Sequence, residues 1–185
     1  MEKQHILDIL ERVQEAVGEN NTVQIKKLSN QIIHSASIDQ DPDIISTAVI
    51  IYSLSKLLER EDYRKLKNWN NFYSSYKRHL ENAINNLKKD NIAGFREDIQ
   101  SIRELLNRLS GKLKIYIKDV FRKAQINKAS RIYEHGISME KTAKILGVSV
   151  WELTEYAGST GIGDVNLSVT MPIKNRIKIV EEMFR

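Results

Sequence analysis

The chain has 185 residues, 41% of them apolar, with eight glycines, two prolines and no cysteine. That composition excludes a disordered chain, disulfides, thiolate metal sites and cysteine nucleophiles, and so few turn residues argue against a β-rich fold. The net charge of +5 is uneven: residues 1–60 carry six basic and nine acidic side chains, 61–135 carry 17 and nine, and 136–185 carry six of each.

Ile6, Leu10, Val13 and Val17 recur at three- and four-residue spacing, which predicts an amphipathic helix over 3–17 ending at Gly18. A second helix is expected over 22–37, with Ile25, Leu28, Ile32 and Ala36 inward. Asp41 then reads as an N-cap, with Pro42 at the first helical position, where its missing N–H costs nothing. The helix it opens, 42–60, is apolar over most of its surface and belongs at the centre of a bundle. Its most apolar stretch, 44–58, is too short to span a bilayer and is interrupted by Ser46, Thr47, Ser53, Ser55 and Lys56. Glu2, Lys3 and Asp8 interrupt any signal-peptide core at the start.

Leu66, Trp69, Tyr73, Tyr76, Leu80, Ala83 and Leu87 step by three and four, and the pattern pauses at the polar run 88–91. It resumes through Ile92, Phe95, Ile99, Ile102, Leu106 and Leu109, then through Leu113, Tyr116, Val120 and Ala124. Two long apolar runs around a polar break predict an antiparallel helical hairpin, with a kink at Ser110-Gly111. The aromatic residues Tyr63, Trp69, Phe72, Tyr73 and Tyr76 lie among basic residues, but Trp69, Tyr73 and Tyr76 hold core positions, so we read packing rather than base stacking. A helix is expected over 112–135, capped by Gly136.

The stretch 138–157 is the most informative. Ala143, Gly147 and Leu153 provide a small residue, then a glycine four places on, then an aliphatic residue six further. Two short helices crossing at a tight turn need that spacing, because glycine takes a positive φ without Cβ strain. Ser138 suits a cap for the first helix, and Ser149 with Glu152 forms a capping box for the second. Beyond it, 158–164 is a Gly-rich loop without the Lys-Thr of a phosphate loop. Val165, Leu167 and Val169 alternate as a short strand would, and Pro172 opens a final helix with Ile173, Ile177, Val180 and Phe184 on one face.

The segment 138–157 resembles the helix-turn-helix of DNA-binding regulators. The last third of the chain is also similar to an uncharacterised archaeal family, through the stretches 128–136, 145–153, 161–165 and 175–179, with a weaker likeness at 29–38. That likeness implies a cytoplasmic protein and brings no activity with it. The resulting expectation is an all-α protein in two parts: a helical bundle with a long hairpin over 1–110, and a trihelical helix-turn-helix module with a C-terminal helix over 112–185.

The expected function is that of a non-enzymatic, nucleic-acid-associated protein, a DNA-binding regulator or architectural factor. Lys114, Lys118, Arg122 and Lys128 would hold phosphates, while Trp151 and Thr154 approach the groove. DNA is preferred over RNA, a homodimer is open, and no membrane, metal or cofactor is called for. The histidines His5, His34, His79 and His135 are scattered, and none shares metal-ligand spacing with another. Residues 149–157 contain no Arg, Lys, Asn or Gln to read base edges, and Glu152 and Glu155 would repel phosphates. Two alternatives therefore stay open: an antitoxin-like protein–protein adaptor using Val150 and Trp151, and a factor for structured RNA or the ribosome.

Overall fold

The computed structural model describes residues 3–126 and 138–158. The expected cap at Gly136, Lys128, the Gly-rich loop beyond Gly158, the strand and the final helix lie outside these residues. Among the described residues the chain is all helix: α1 Lys3–Gly18, α2 Thr22–Asp39, α3 Pro42–Leu58, α4 Glu61–Arg64, α5 Trp69–Lys88, α6 Ile92–Ser110, α7 Leu113–Lys123, α8 Met139–Leu146 and α9 Val150–Gly158.

α3 lies at the centre, and every residue in it except Lys56 is buried. Asp41 caps it by accepting from the Asp43 and Ile44 N–H groups at 2.8 and 3.4 Å. A helix surrounded by neighbours must satisfy its hydroxyls internally. Thr47 and Ser53 do so by donating to the Asp43 and Val49 carbonyls at 2.8 and 2.7 Å. Around α3 pack α2, α6, α7 and α8, with α1 and α4 in lesser contact. The Asp43 carboxylate, buried at the N-terminal turn of α3, takes two hydrogen bonds from Arg96 of α6, at 2.8 and 2.7 Å. That bidentate pair fixes α6 against the central helix.

α5 and α6 pack along each other, joined through residues 89–91. Asp98 of α6 is hydrogen-bonded to His79 and Asn86 of α5, both at 2.9 Å. Trp69 stacks on Tyr73 with ring centroids 5.5 Å apart, and Trp69, Phe72 and Tyr76 are buried. The aromatic cluster thus packs helices together, as its spacing indicates. Leu66 departs from the expectation. It precedes α5 in a run of turns after α4, its N–H bonds to the Tyr63 carbonyl, and it is 43% exposed.

Four helices end in the same closure. Asn20, Asp90, Gln125 and Gly147 take φ of 54°, 61°, 53° and 65°. The next N–H then reaches back five residues to a carbonyl: Asn21 to Ala16, Asn91 to Asn86, Ile126 to Phe121 and Val148 to Ala143, at 2.8 to 3.0 Å. This closure corrects the helix expected over 112–135. α7 stops at Lys123 because Gln125 turns left-handed and Ile126 drops into the core, fully buried. The apolar anchor after the turn outweighs the helical periodicity before it.

Gly111, where the sequence suggested a division, takes φ of 61° and ends α6. Residues on both sides of it share one core. Ala143, Leu146, Leu153 and Tyr156 belong to the same apolar cluster as α3 and α6, and the Tyr156 ring lies 6.2 Å from that of Phe121.

Candidate functional site

α8 and α9 are short, and both are defined by their ends. Ser138 Oγ accepts from the Lys141 N–H at 3.2 Å and starts α8. Gly147 ends it. Ser149 and Glu152 form the expected capping box: the Ser149 N–H donates to Glu152 Oε2 at 2.9 Å, and the Glu152 N–H donates to Ser149 Oγ at 3.1 Å. Thr142, Ala143 and Leu146 bury one side of α8 against α3 and α6. Leu153, Tyr156 and Ala157 bury one side of α9 against α7 and α8.

Gly147 has a second reason to be glycine, one that local sequence does not show. A Cβ there would sit 2.7 Å from Arg103 Nη1 and 2.9 Å from Arg103 Cζ. Arg103, on α6, is 4% exposed, and its Nε and Nη1 have no hydrogen-bond partner. Burial pushes its pKa down to about 10. The guanidinium lies against Gly147 at the C-terminal end of α8, where the helix dipole carries partial negative charge. Its sequence signal is faint: Arg103 flanks the apolar stripe of Ile99, Ile102 and Leu106.

The structure brings two of the expected phosphate-holding cations, Lys114 and Lys118, to the edge of this pair of helices; Arg122 pairs within α7, and all three have acidic partners. Lys114 is bound to Glu152, Lys118 Nζ lies 4.0 Å from Glu155, and Arg122 lies 3.3 Å from Asp119. Glu152 is held down to about 2, first by the Lys114 ammonium and then by the Ser149 N–H. Lys114 and Lys118 therefore tie α7 to the acidic residues of α9 along the seam between the helices. Lys141 and Lys144 of α8 are exposed and have no carboxylate partner among the described residues. Lys128 lies outside the described residues.

Thr154 and Trp151, the expected groove residues, differ in availability. Thr154 is half-buried and its hydroxyl donates to the Val150 carbonyl at 2.9 Å. Trp151 points away from the core and is 81% exposed, with Val150 beside it at 38%. Trp69 is buried, so among the described residues Trp151 is the tryptophan open to contact. Among the described residues no group of three His, Asp or Glu side chains is placed to hold a metal ion, and no helix is long and apolar enough to cross a membrane. Comparison with family models, with curated proteins and with solved structures gives no match.

Proposed function

We propose that this protein works by binding a protein partner through the outer face of α9, as an adaptor of helix-turn-helix form. The observation that carries this reading is the 81% exposure of Trp151 on a helix whose backbone is already held by a capping box and by burial of its opposite side. Single exposed apolar residues are ordinary on protein surfaces. Here, however, two are adjacent at the start of one short helix, and the larger is a tryptophan. An indole offers a large apolar area and loses few rotamers on contact, which is why tryptophan anchors interfaces. A backbone that needs no reordering raises the return on that contact. The complementary partner has an apolar pocket that admits the indole, flanked by a cation within reach of Glu155, which is 61% exposed and only loosely held by Lys118.

The DNA-binding reading draws its support from Lys141 and Lys144, which are exposed and have no carboxylate partner among the described residues. It is weakened by Glu152 and Glu155, which would meet phosphates on α9, and by the pairing of Lys114 and Lys118. A photo-crosslinking residue at position 151 separates the two readings in cells. A protease-sensitive, nuclease-resistant adduct supports the adaptor. A nuclease-sensitive adduct overturns it in favour of nucleic acid.

A further inference from the structure

A second surface, remote from Trp151 in sequence, combines an excess of cations with an aromatic floor. Lys56 in the last turn of α3, Arg122 and Lys123 in the last turn of α7, and Lys26 of α2 converge there with two carboxylates. Glu59 takes Lys56 at 2.7 Å and Lys26 at 3.0 Å. Asp119 takes Arg122 at 3.3 Å and accepts from the Tyr52 hydroxyl at 3.3 Å. Lys123 has no carboxylate partner among the described residues. Its ammonium lies 4.6 Å from the Tyr52 ring centroid, and that of Lys56 lies 5.6 Å from the same centroid.

Cations at helix C-termini are ordinary, because they complement the helix dipole. One at each end satisfies that need. Three on two neighbouring ends, two of them crowding a single ring, leave positive charge that the local carboxylates do not cancel. The crowding is visible in Lys123, whose pKa is pushed down first by burial and next by Lys56. Lys26 and Arg122 are 60% and 68% exposed, so these charges face solvent on two different helices. Several exposed cations spread over an open surface suit a ligand that carries repeated negative charges, and residues 61–135, with their 17 basic side chains, would draw it in.

We propose that the adjoining ends of α3 and α7 form a sequence-independent binding surface for the phosphodiester backbone of a nucleic acid, with Lys56, Arg122 and Lys123 holding phosphates around Tyr52. It differs from the cation stripe expected from the sequence: Arg122 is shared, but Lys56 and Lys123 replace Lys114 and Lys118. The surface is independent of Trp151, so this reading and the adaptor reading fail separately.

The test is fluorescence anisotropy of the full chain with a labelled DNA duplex and a labelled RNA hairpin, from about 50 to about 200 mM salt. The expected result is binding that weakens steeply with salt. Lys123→Gln and Arg122→Gln should each weaken it about threefold or more and reduce the salt slope by about one, while Lys123→Arg restores it. Lys89→Gln, just past the C-terminal end of α5, should leave binding unchanged. The proposal is overturned by no binding at the lowest salt, by equal binding in Lys123→Gln with its helical circular dichroism intact, or by pyrophosphate binding without nucleic-acid binding. If Lys123→Gln loses its helical signal, the Arg122→Gln titration decides.

Discussion

Replacing Gly147 with alanine tests the account of how α8 and α9 are held. Two costs add. The backbone sits at φ of 65°, a conformation that costs an L-residue about 1–2 kcal/mol. The new methyl would also lie 2.7 Å from Arg103 Nη1, so the guanidinium must shift within a packed interior, for about a further 1 kcal/mol. Moving it breaks no hydrogen bond from Nε or Nη1, since neither has a partner, which keeps the second cost at the low end. Gly147→Ala is therefore expected to lose about 2–3 kcal/mol in urea unfolding followed by far-UV circular dichroism. Arg103→Met removes a buried charge with unpaired donors and, being two atoms shorter, ends short of the Nη1 position that a Cβ at 147 would meet; it should be neutral or stabilising. In the double variant the steric part disappears and only the φ part, about 1–2 kcal/mol, remains. A Gly147→Ala chain within about 0.5 kcal/mol of the parent, or a double-mutant cycle showing no coupling, would refute the reasoning.

Other consequences follow from the same contacts. Arg96→Leu leaves the Asp43 carboxylate buried without its counter-charge. A loss of about 2–3 kcal/mol in urea unfolding is expected, below the full cost of an orphaned buried charge because Arg96 is partly solvated; a loss under about 1 kcal/mol would contradict it. Glu152, held near 2 in the folded chain against an ordinary 4.5, contributes stability that is present above 4.5 and lost as the pH falls toward 2. A carboxyl NMR titration should place its midpoint near 2 and move it upward in Lys114→Met; an unmoved midpoint would show that the ion pair is not the cause. Trp151→Ala should change stability by less than about 0.5 kcal/mol, because the side chain touches little of the fold, while abolishing the partner adduct formed from a crosslinker placed at position 150. A large loss of stability would show that the indole has a packing role.

Much of the fold was legible because its signals are local. The three-and-four spacing of apolar residues places α1, α2 and α3. Asp41-Pro42 and Ser149 with Glu152 mark helix starts, since a cap needs only residues within one turn. Gly147 was legible for the same reason. The end of α7 was not, because Gln125 is no glycine and the burial of Ile126, which decides the turn, depends on the surrounding helices. Leu66 fitted the heptad run on paper, yet the turns after α4 set it outside α5.

By itself the sequence determined the helical class, the buried central helix and the two short helices around Gly147, because periodicity and capping act between residues a few positions apart. Only the tertiary structure decided where the charges meet. Lys114 and Glu152 are distant in the chain, and their pairing depends on how α7 lies against α9. So does the placing of Arg103 beneath Gly147, of Lys56 and Lys123 about one tyrosine ring, and of Trp151 in solvent. Coulomb and contact forces act over a few ångströms of space, whatever the separation along the chain, and packing alone sets those distances.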